Sequence, residues 1–276
     1  MTALDIAPNE AEDTLDQTAW YGTKAGQALL TLVVFAAVLA AWWLYVRLMA
    51  LSPLVLPTPY QVWESLVDNT ASGLLPMHLW VTLSEIVLGF ILGSAIGIAL
   101  GTITSQSPLM RAILNPYILA SQAMPKLALA PIMVIWLGFG IAPKVVITAL
   151  ICFFPLLENT IIGLTSVNPY QVELFSALTA SRRQTFFKLR IPNALPVIFA
   201  GLRVAITLAV VGAVVGEYVG ANRGLGALII ATQGNFDTPL MFAVFVYLTI
   251  IGIVLYKVME LMESLFFSWR HIKRGD

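Results

Sequence analysis

Three glutamates, Glu85, Glu158 and Glu217, lie inside stretches of the chain that are otherwise apolar. A carboxylate at membrane depth is costly, so each predicts a hydrogen-bonding partner, an ion-pair partner or a water-filled cavity beside it. For Glu217, a structural hydrogen bond and a place along a transport path stay equally open. For Glu158 we favour a basic partner from the polar segment that follows it. Glu85 is expected to reach the outer membrane interface.

The chain has no set of residues suited to catalysis or metal binding. Its two histidines, His78 and His271, are far apart, and no acid clusters with a hydroxyl nucleophile. The phosphate-binding pattern G-x-x-x-x-G-K-[ST] does not occur, so any energised work must draw its energy from another chain. Cys152 lies in an apolar run and is expected to be a small core residue. We therefore predict a protein that is not an enzyme and carries no metal or cofactor of its own.

One long polar segment interrupts the apolar chain and runs from Glu173 to Pro196. Apolar side chains alternate in it with a cluster of basic ones, Arg182, Arg183, Lys188 and Arg190. A basic and partly apolar helix pair cannot lie in lipid, so the segment predicts a cytoplasmic surface that contacts a partner. Pro192 and Pro196 are expected to stop this segment and to open the next apolar span.

The composition is that of a membrane protein with several spans. Hydrophobic residues make up 59% of the 276 residues, charged residues make up 11%, and the mean hydropathy is +0.86. A soluble protein this apolar would expose surface that drives aggregation. The balance of 15 basic and 15 acidic residues argues against a nucleic-acid partner. We predict an all-α polytopic membrane fold in contact with lipid.

Hydropathy predicts about six transmembrane helices. The expected spans are 28–50, 79–104, 117–138, 144–165, 197–220 and 239–262. An acidic cytoplasmic tail is expected at 1–27, the first helix and an outer loop at 28–77, the core at 78–262 and a basic cytoplasmic tail at 263–276. Lys and Arg are concentrated on the side that carries the polar segment, which predicts that both termini are cytoplasmic.

Glycine and proline positions suggest where helices approach closely or break. Gly89, Gly93, Gly97 and Gly101 recur every four residues in the second span, and packing against a neighbouring helix is favoured there over a moving gate. In the third span two prolines predict a break or kink, and a translocation path beside it and simple packing stay equally open. Glycines also thin one face of the fifth span. The candidates for the path or gate are Pro125, Pro131, Gly212, Gly216 and Glu217.

The polar segment resembles the coupling loop of ATP-binding-cassette importer permeases, which has the pattern E-A-A…G…I-x-L-P. Glu173, Ala177, Ile191 and the closing Ala194-Leu195-Pro196 match this pattern. The glycine of the family falls at Thr179. Because Thr has a branched side chain that is disfavoured at positive φ, the turn is expected to use ordinary dihedral angles here.

The resemblance extends over about residues 78–262. The segments QAMPKLALAPIMVIWLGFG, FFPLLENTIIGL and GEYVGANRGLGALI follow one another as they do in permeases for nitrate, sulfonates and taurine. The chain is thereby identified as a member of the type I importer permease family. The resemblance implies a multi-pass protein of the bacterial inner membrane that forms the path for a small solute, such as a sulfonate, taurine or nitrate.

The resemblance also implies partners. These are a pair of cytoplasmic ATPases that bind ATP and Mg, a second permease subunit that we expect to be identical, and an external binding protein. The loop at about 169–196 would contact the ATPase through Glu173, Ala177, Leu178, Thr179, Ala180, Ser181, Arg182 and Arg183, and would close at Ile191, Pro192 and Pro196. A secondary transporter or channel without an ATPase is the alternative, and a membrane scaffold is a third possibility. Neither alternative accounts for a coupling-like loop.

Overall fold

The computed structural model describes residues 23–266 and divides into two compact units, with the boundary between Glu64 and Ser65. The first unit contains helix α1 (Lys24–Leu48) and the start of α2 (Pro59–Ala71). Thr23 caps α1, because its Oγ1 accepts a hydrogen bond from Gly26 N at 3.0 Å. The predicted basic tail beyond 266 and residues 1–22 of the predicted acidic tail lie outside the described residues.

The second unit is helical throughout its described part, residues 65–266, with no strand there. In chain order its helices are α3 (Leu74–Gln106), α4 (Pro108–Ala123), α5 (Ala130–Leu137), α6 (Ile141–Thr165), α7 (Pro169–Ala177), α8 (Arg182–Thr185), α9 (Ile191–Tyr218), α10 (Leu225–Gly234) and α11 (Thr238–Phe266). The all-α prediction is confirmed. The short α10 follows Gly224 and lies in the chain between α9 and α11.

Five helices within residues 23–266 are long and apolar enough to cross a membrane: α1, α3, α6, the run Arg182–Tyr218 and α11. The third predicted span, 117–138, is not one helix. It consists of the end of α4, a 3-10 turn at Lys126–Leu129 and the short α5. Pro125 favours this break, because helical dihedral angles are disfavoured for the residue before a proline, and Met124 has an extended ψ of 130°. The predicted break is therefore confirmed, and the predicted continuous span is wrong.

The glycine stripe of α3 packs directly against α6. A Cβ added to Gly97 would lie 2.7 Å from the backbone oxygen of Phe153, and one added to Gly101 would lie 2.7 Å from Thr160 Cβ. Only glycine permits this approach, so the packing role expected of the stripe is confirmed. Gly212 of α9 meets α6 in the same way, because its added Cβ would lie 2.9 Å from Thr148 Cα.

These contacts fix the directions of the three central helices. Gly89 lies against Thr148 and Gly101 against Thr160, so α3 and α6 run parallel. Gly216 lies against Lys144 and Gly201 against Asn159, so α9 runs antiparallel to α6. The starts of α3 and α6 and the end of α9 therefore lie at one end of the bundle. Their other ends lie at the opposite end, where α7 follows α6.

Cys152 lies fully buried in the core that α3, α6, α9, α10 and α11 share. Its thiol donates to the Ala205 backbone oxygen at 3.2 Å, as expected of a small core residue. Many large apolar side chains remain on the outside of the bundle, among them Ile91, Ile135 and Ile253. Such a surface suits lipid and not water.

Candidate functional site

Helix α7 presents an exposed surface at the end of the bundle where α6 finishes. Asn168 caps it, with Oδ1 accepting from Tyr170 N at 3.0 Å, and none of its residues is buried. Leu174 and Leu178 stand one turn apart and are 57% and 68% exposed. Glu173 and Ala177 are also exposed. An apolar surface of this kind on a polar, non-spanning segment is typical of a protein interface.

The turn after α7 has the hydrogen bonds of a Schellman motif. Ala180 N donates to Phe175 O, and Thr179 N donates to Ser176 O, both at 3.0 Å. This motif requires a left-handed residue at the first position after the helix cap, and Thr179 has φ of +53°. The expectation of ordinary dihedral angles at Thr179 is therefore wrong. The two hydrogen bonds hold the branched residue in a conformation that glycine adopts more readily.

Helix α8 begins with a capping box. Gln184 N donates to Ser181 Oγ at 3.2 Å, and Ser181 N donates to Gln184 Oε1 at 2.8 Å. Arg182 and Arg183 follow Ser181 directly and are exposed. We call the exposed residues Glu173, Ala177, Leu178 and Thr179, together with Ala180, Ser181, Arg182 and Arg183, the coupling surface.

The helix does not stop at the prolines that follow the coupling surface. Residues Arg182–Tyr218 form one helical run, in which Phe186–Arg190 has π-helical hydrogen bonding. Ile191 N donates to Phe186 O, five residues back, so the helix has a wide π-helical turn just before Pro192. Pro192 itself has no N–H and cannot donate a hydrogen bond. The expectation that Pro192 and Pro196 stop the segment is wrong, because the helical run continues through them. Both prolines do lie in the first turns of α9, so they open the next apolar span as expected.

A buried polar cluster lies at the opposite end of the bundle. Lys144 Nζ donates to Glu85 Oε1 at 2.6 Å, and these side chains are only 10% and 1% exposed. The Glu85 carboxyl group also interacts with that of Glu217, which is 1% exposed. Glu85 therefore does not reach the outer interface as expected from the sequence. It is buried between α3, α6 and α9, where Lys144 compensates its charge.

The same cluster holds the first turn of α10. Thr82 Oγ1 donates to Glu217 Oε1 at 2.6 Å and accepts from Leu225 N at 2.8 Å. Glu217 Oε2 accepts from Gly226 N. A carboxylate at the start of a helix accepts hydrogen bonds from backbone N–H groups that have no partner within the helix. It also interacts favourably with the positive end of the helix dipole. Glu217 thus has the structural hydrogen bonds that were one of its two predicted roles.

Gly224 and His78 complete this cluster. His78 Nδ1 lies 2.8 Å from Gly224 O and 3.1 Å from Gly224 N. Gly224 has φ of +122°, and a Cβ added there would collide with the Glu217 carboxylate. A side chain at this position would therefore separate α10 from Glu217. We call His78, Thr82, Glu85, Lys144, Glu217 and the Gly224–Gly226 backbone the buried polar cluster.

The other path and gate candidates fall in two places. Gly212 and Gly216 pack against α6, next to the buried polar cluster. Pro125 and Pro131 are exposed and flank the 3-10 turn between α4 and α5. Lys126 Nζ lies 4.6 Å from the centre of the Phe154 ring, so this break is beside the middle of α6.

Glu158 is exposed on α6 and makes no ion pair within residues 23–266. The basic partner expected for it from the polar segment is therefore absent from the described structure. Thr82 and Lys144, the partners of the buried glutamates, were not predicted from the sequence. Lys144 at the start of an apolar span was itself a signal, because a charged lysine at membrane depth predicts an acidic partner just as a buried glutamate predicts a basic one.

The sequence and the fold together define the class of protein. Residues 86–268 match the family described as "Binding-protein-dependent transport system inner membrane component". The chain belongs to this family and is a permease of ATP-binding-cassette importers, not an enzyme. It is accordingly a multi-pass protein of the inner membrane.

Three relatives show how far the similarity extends. The formylaminopyrimidine transport permease ThiX of Halalkalibacterium halodurans is 37% identical, over 90% of this chain and 98% of its own length. The riboflavin permease RibX of Chloroflexus aurantiacus is 36% identical, over 93% of each chain. The taurine permease TauC of Escherichia coli is 30% identical, over 91% of this chain and 93% of its own.

Solved structures share the fold. A chain of the MetNI methionine transporter in an inward-facing conformation superposes with a TM-score of 0.58 at 20% identity, over 67% of this chain and 93% of its own. An amino acid ABC transporter crystallised with histidines gives the same score at 19% identity, over 73% of this chain and 96% of its own. At this identity the likeness concerns the fold alone.

Proposed function

We propose that this permease works as one of two subunits, which we expect to be identical, and that its coupling surface docks on a cytoplasmic ATPase. ATP and Mg are bound by the ATPase, and an external binding protein delivers the solute. The observation that carries this proposal is the exposed, partly apolar α7–α8 pair, whose residues contribute little to the core of their own chain. Leu174 and Leu178 lie one turn apart and are 57% and 68% exposed, and together they form an apolar surface suited to a partner.

The coupling end of the bundle faces the cytoplasm in this proposal. Arg111, Arg182, Arg183, Lys188 and Arg190 all lie at or near that end. Positively charged residues are retained on the cytoplasmic side of a membrane protein, so the orientation follows from their distribution. The buried polar cluster then faces the external side, and both termini are cytoplasmic.

The continuous helix from Arg182 to Tyr218 supplies a route for mechanical coupling. Its 37 residues correspond to roughly 55 Å of helix. Its first residues belong to the coupling surface, and its last turn carries Glu217, which holds α10. Movement of a docked ATPase would therefore reach α10 through one rigid element. Work is transmitted only if the ATPase binds the two conformations of the permease with different affinity.

The solute is a small organic molecule. Relatives named for a formylaminopyrimidine and for riboflavin, at 37% and 36% identity, stand ahead of the taurine permease at 30%. We therefore favour a neutral, nitrogen-rich heterocycle over the sulfonate, taurine or nitrate that the sequence resemblance suggested.

Ala177→Arg tests the docking surface. Ala177 is exposed, so the change leaves the fold of α7 intact while placing a long charged side chain in the interface. We expect normal insertion into the membrane, loss of ATPase from the purified complex and loss of ATP-dependent uptake. Ala177→Ser keeps a small side chain at the same position and should behave as the wild type. Normal copurification and uptake by Ala177→Arg would exclude this docking surface.

Crosslinking tests the second subunit. Cysteines introduced on exposed apolar positions of α6 and α11 in the Cys152→Ala background should form disulfides between two permease chains in native membranes. The same membranes should require both ATP and the ATPase for uptake. Full uptake by a monomeric permease would contradict the paired arrangement, and uptake without the ATPase would favour the secondary-transporter alternative.

A further inference from the structure

A polar cavity of about 490 Å³ lies at the coupling end of the bundle. It lies between the end of α3, the start of α4, the end of α6 and residues 169–190, which we call the coupling segment. Its polar lining includes Arg111, Arg190, Asn115, Ser107 and Thr165. A second cavity of about 480 Å³ shares Pro108, Val172 and Arg190 with the first and adds Arg182.

The charge of this region is positive and uncompensated within the described structure. Neither cavity has an Asp or Glu in its lining. The ion pairs within residues 23–266 involve Lys144, Arg203 and Lys257, and include neither Arg111 nor Arg190. Arg190 is half-buried, whereas Arg111 is exposed. A half-buried cation attracts an anion more strongly than one on an open surface.

The lining also has the right hydrogen-bonding chemistry for an oxyanion. Each guanidinium offers a planar pair of N–H donors that matches two oxygens of a phosphate, sulfonate or carboxylate group. The Asn115 side-chain amide provides further donors. The volume lies within the usual range of small-molecule sites. The donor groups and the size of the cavity therefore both suit a small oxyanion.

We propose that this cavity binds a phosphate- or sulfonate-type anion that bridges Arg111 of α4 and Arg190 of the coupling segment. Arg190 ends the π-helical stretch Phe186–Arg190, and π-helical turns are frequent at functional sites. The bound anion joins the coupling segment to the α3–α4 corner and so restricts their relative movement. Its regulatory consequence, slower ATP-driven transport when the site is occupied, rests on the proposed coupling function, whereas the binding does not.

Binding is measured on the full-length permease alone, in nanodiscs of phosphatidylcholine, by the shift in unfolding temperature with inorganic phosphate or methanesulfonate. A second set of nanodiscs contains phosphatidylglycerol, and native mass spectrometry reports whether the permease retains this lipid. Retained lipid would identify a lipid headgroup as the bound anion, in distinction from a free anion. We expect saturable stabilisation by one of these two sources. Arg111→Gln and Arg190→Gln should each weaken it about tenfold or more.

Arg223→Gln is the matched control, because Arg223 is an exposed arginine at the opposite end of the bundle. It should leave binding unchanged. Stabilisation that is absent for all probes, or that is equal in the wild type and in Arg111→Gln, would overturn the anion site.

The regulatory step is measured separately on the complex with its ATPase. Phosphate or phosphatidylglycerol should lower the rate of ATP hydrolysis in the wild type but not in Arg111→Gln. If the anion still binds but the permease engages no ATPase, the proposed coupling function is wrong. The anion site is then still supported. An intact complex whose ATPase rate ignores an anion that binds would overturn the regulatory part.

Discussion

Lys144 and Glu85 form an ion pair of 2.6 Å between helices α6 and α3, and only 10% and 1% of their side chains are exposed. Removing one partner from such a pair leaves an uncompensated buried charge, which costs far more than losing the pair as a whole. The pair is therefore a strong constraint on how α3 and α6 meet at the end of the bundle where both helices begin.

Lys144→Met should destabilise the permease by about 3–5 kcal/mol, because Glu85 is left buried without a counter-charge. Thermal unfolding in detergent and the yield of folded protein measure this loss. The double variant Glu85→Leu with Lys144→Met removes both charges and should recover most of the stability. A single variant as stable as the wild type, or a double variant no better than the single, would contradict the buried pair.

Thr179→Gly should stabilise the turn after α7 by about 1 kcal/mol, because glycine adopts the φ of +53° found at Thr179 without the clash of a Cβ. Hydrogen exchange of the turn amides at 178–181 should become slower. Thr185→Gly is the matched control, since Thr185 has ordinary helical φ of −60°. There glycine should destabilise by roughly 1 kcal/mol and speed exchange. The same effect at both positions would argue against left-handed strain at Thr179.

Gly97→Val should disrupt the packing of α3 against α6, because an added Cβ would stand 2.7 Å from the Phe153 backbone oxygen. Overpacking of this kind costs about 1–3 kcal/mol or more. Gly252→Val in α11 is the control, because nothing lies within 4 Å of a Cβ there. It should change the unfolding temperature little. Equal destabilisation by the two variants would contradict close packing against α6 as the reason for glycine at 97.

The sequence was sufficient to predict the helical class, the position of the exposed polar segment between spans and the close approach marked by the glycine stripe. These features depend on local composition and spacing, which a single chain displays directly. The break at Met124–Pro125 was also predictable, because the restriction on a residue before proline is a property of the dipeptide.

The features that were missed depend on contacts between distant residues. A charge inside an apolar span predicts that a partner exists, but Glu85 and Lys144 are far apart in the sequence, and their pairing follows from the register of α3 on α6. Thr179 was expected at ordinary dihedral angles because intrinsic preference was the only guide. The hydrogen bonds of Ala180 and Thr179 to the end of α7 outweigh that preference. The prolines of α9 were misread for a similar reason, since the π-helical turn before Pro192 accommodates them.

Glu217→Gln should loosen the start of α10 while leaving the permease assembled. The carboxylate accepts from Thr82 Oγ1 at one oxygen and from Gly226 N at the other. A glutamine offers one acceptor and presents an NH₂ group to the second donor, so one of the two bonds is lost. Hydrogen bonds to charged groups contribute about 1.5–3 kcal/mol, which is enough to release the first turn of α10 without unfolding the bundle.

We therefore expect Glu217→Gln to retain the ATPase and to bind the external binding protein, but to show altered uptake and altered stimulation of ATP hydrolysis by substrate. Thr82→Val should have the same effect, because it removes the bonds to both Glu217 and Leu225, whereas Thr82→Ser keeps the hydroxyl and should resemble the wild type. The comparison separates gating from simple loss of stability, since all three variants are assayed at matched amounts of assembled complex. Unchanged uptake and unchanged stimulated ATPase rates in both Glu217→Gln and Glu217→Ala would reduce Glu217 to a dispensable residue of the external end and would remove α10 from the gate.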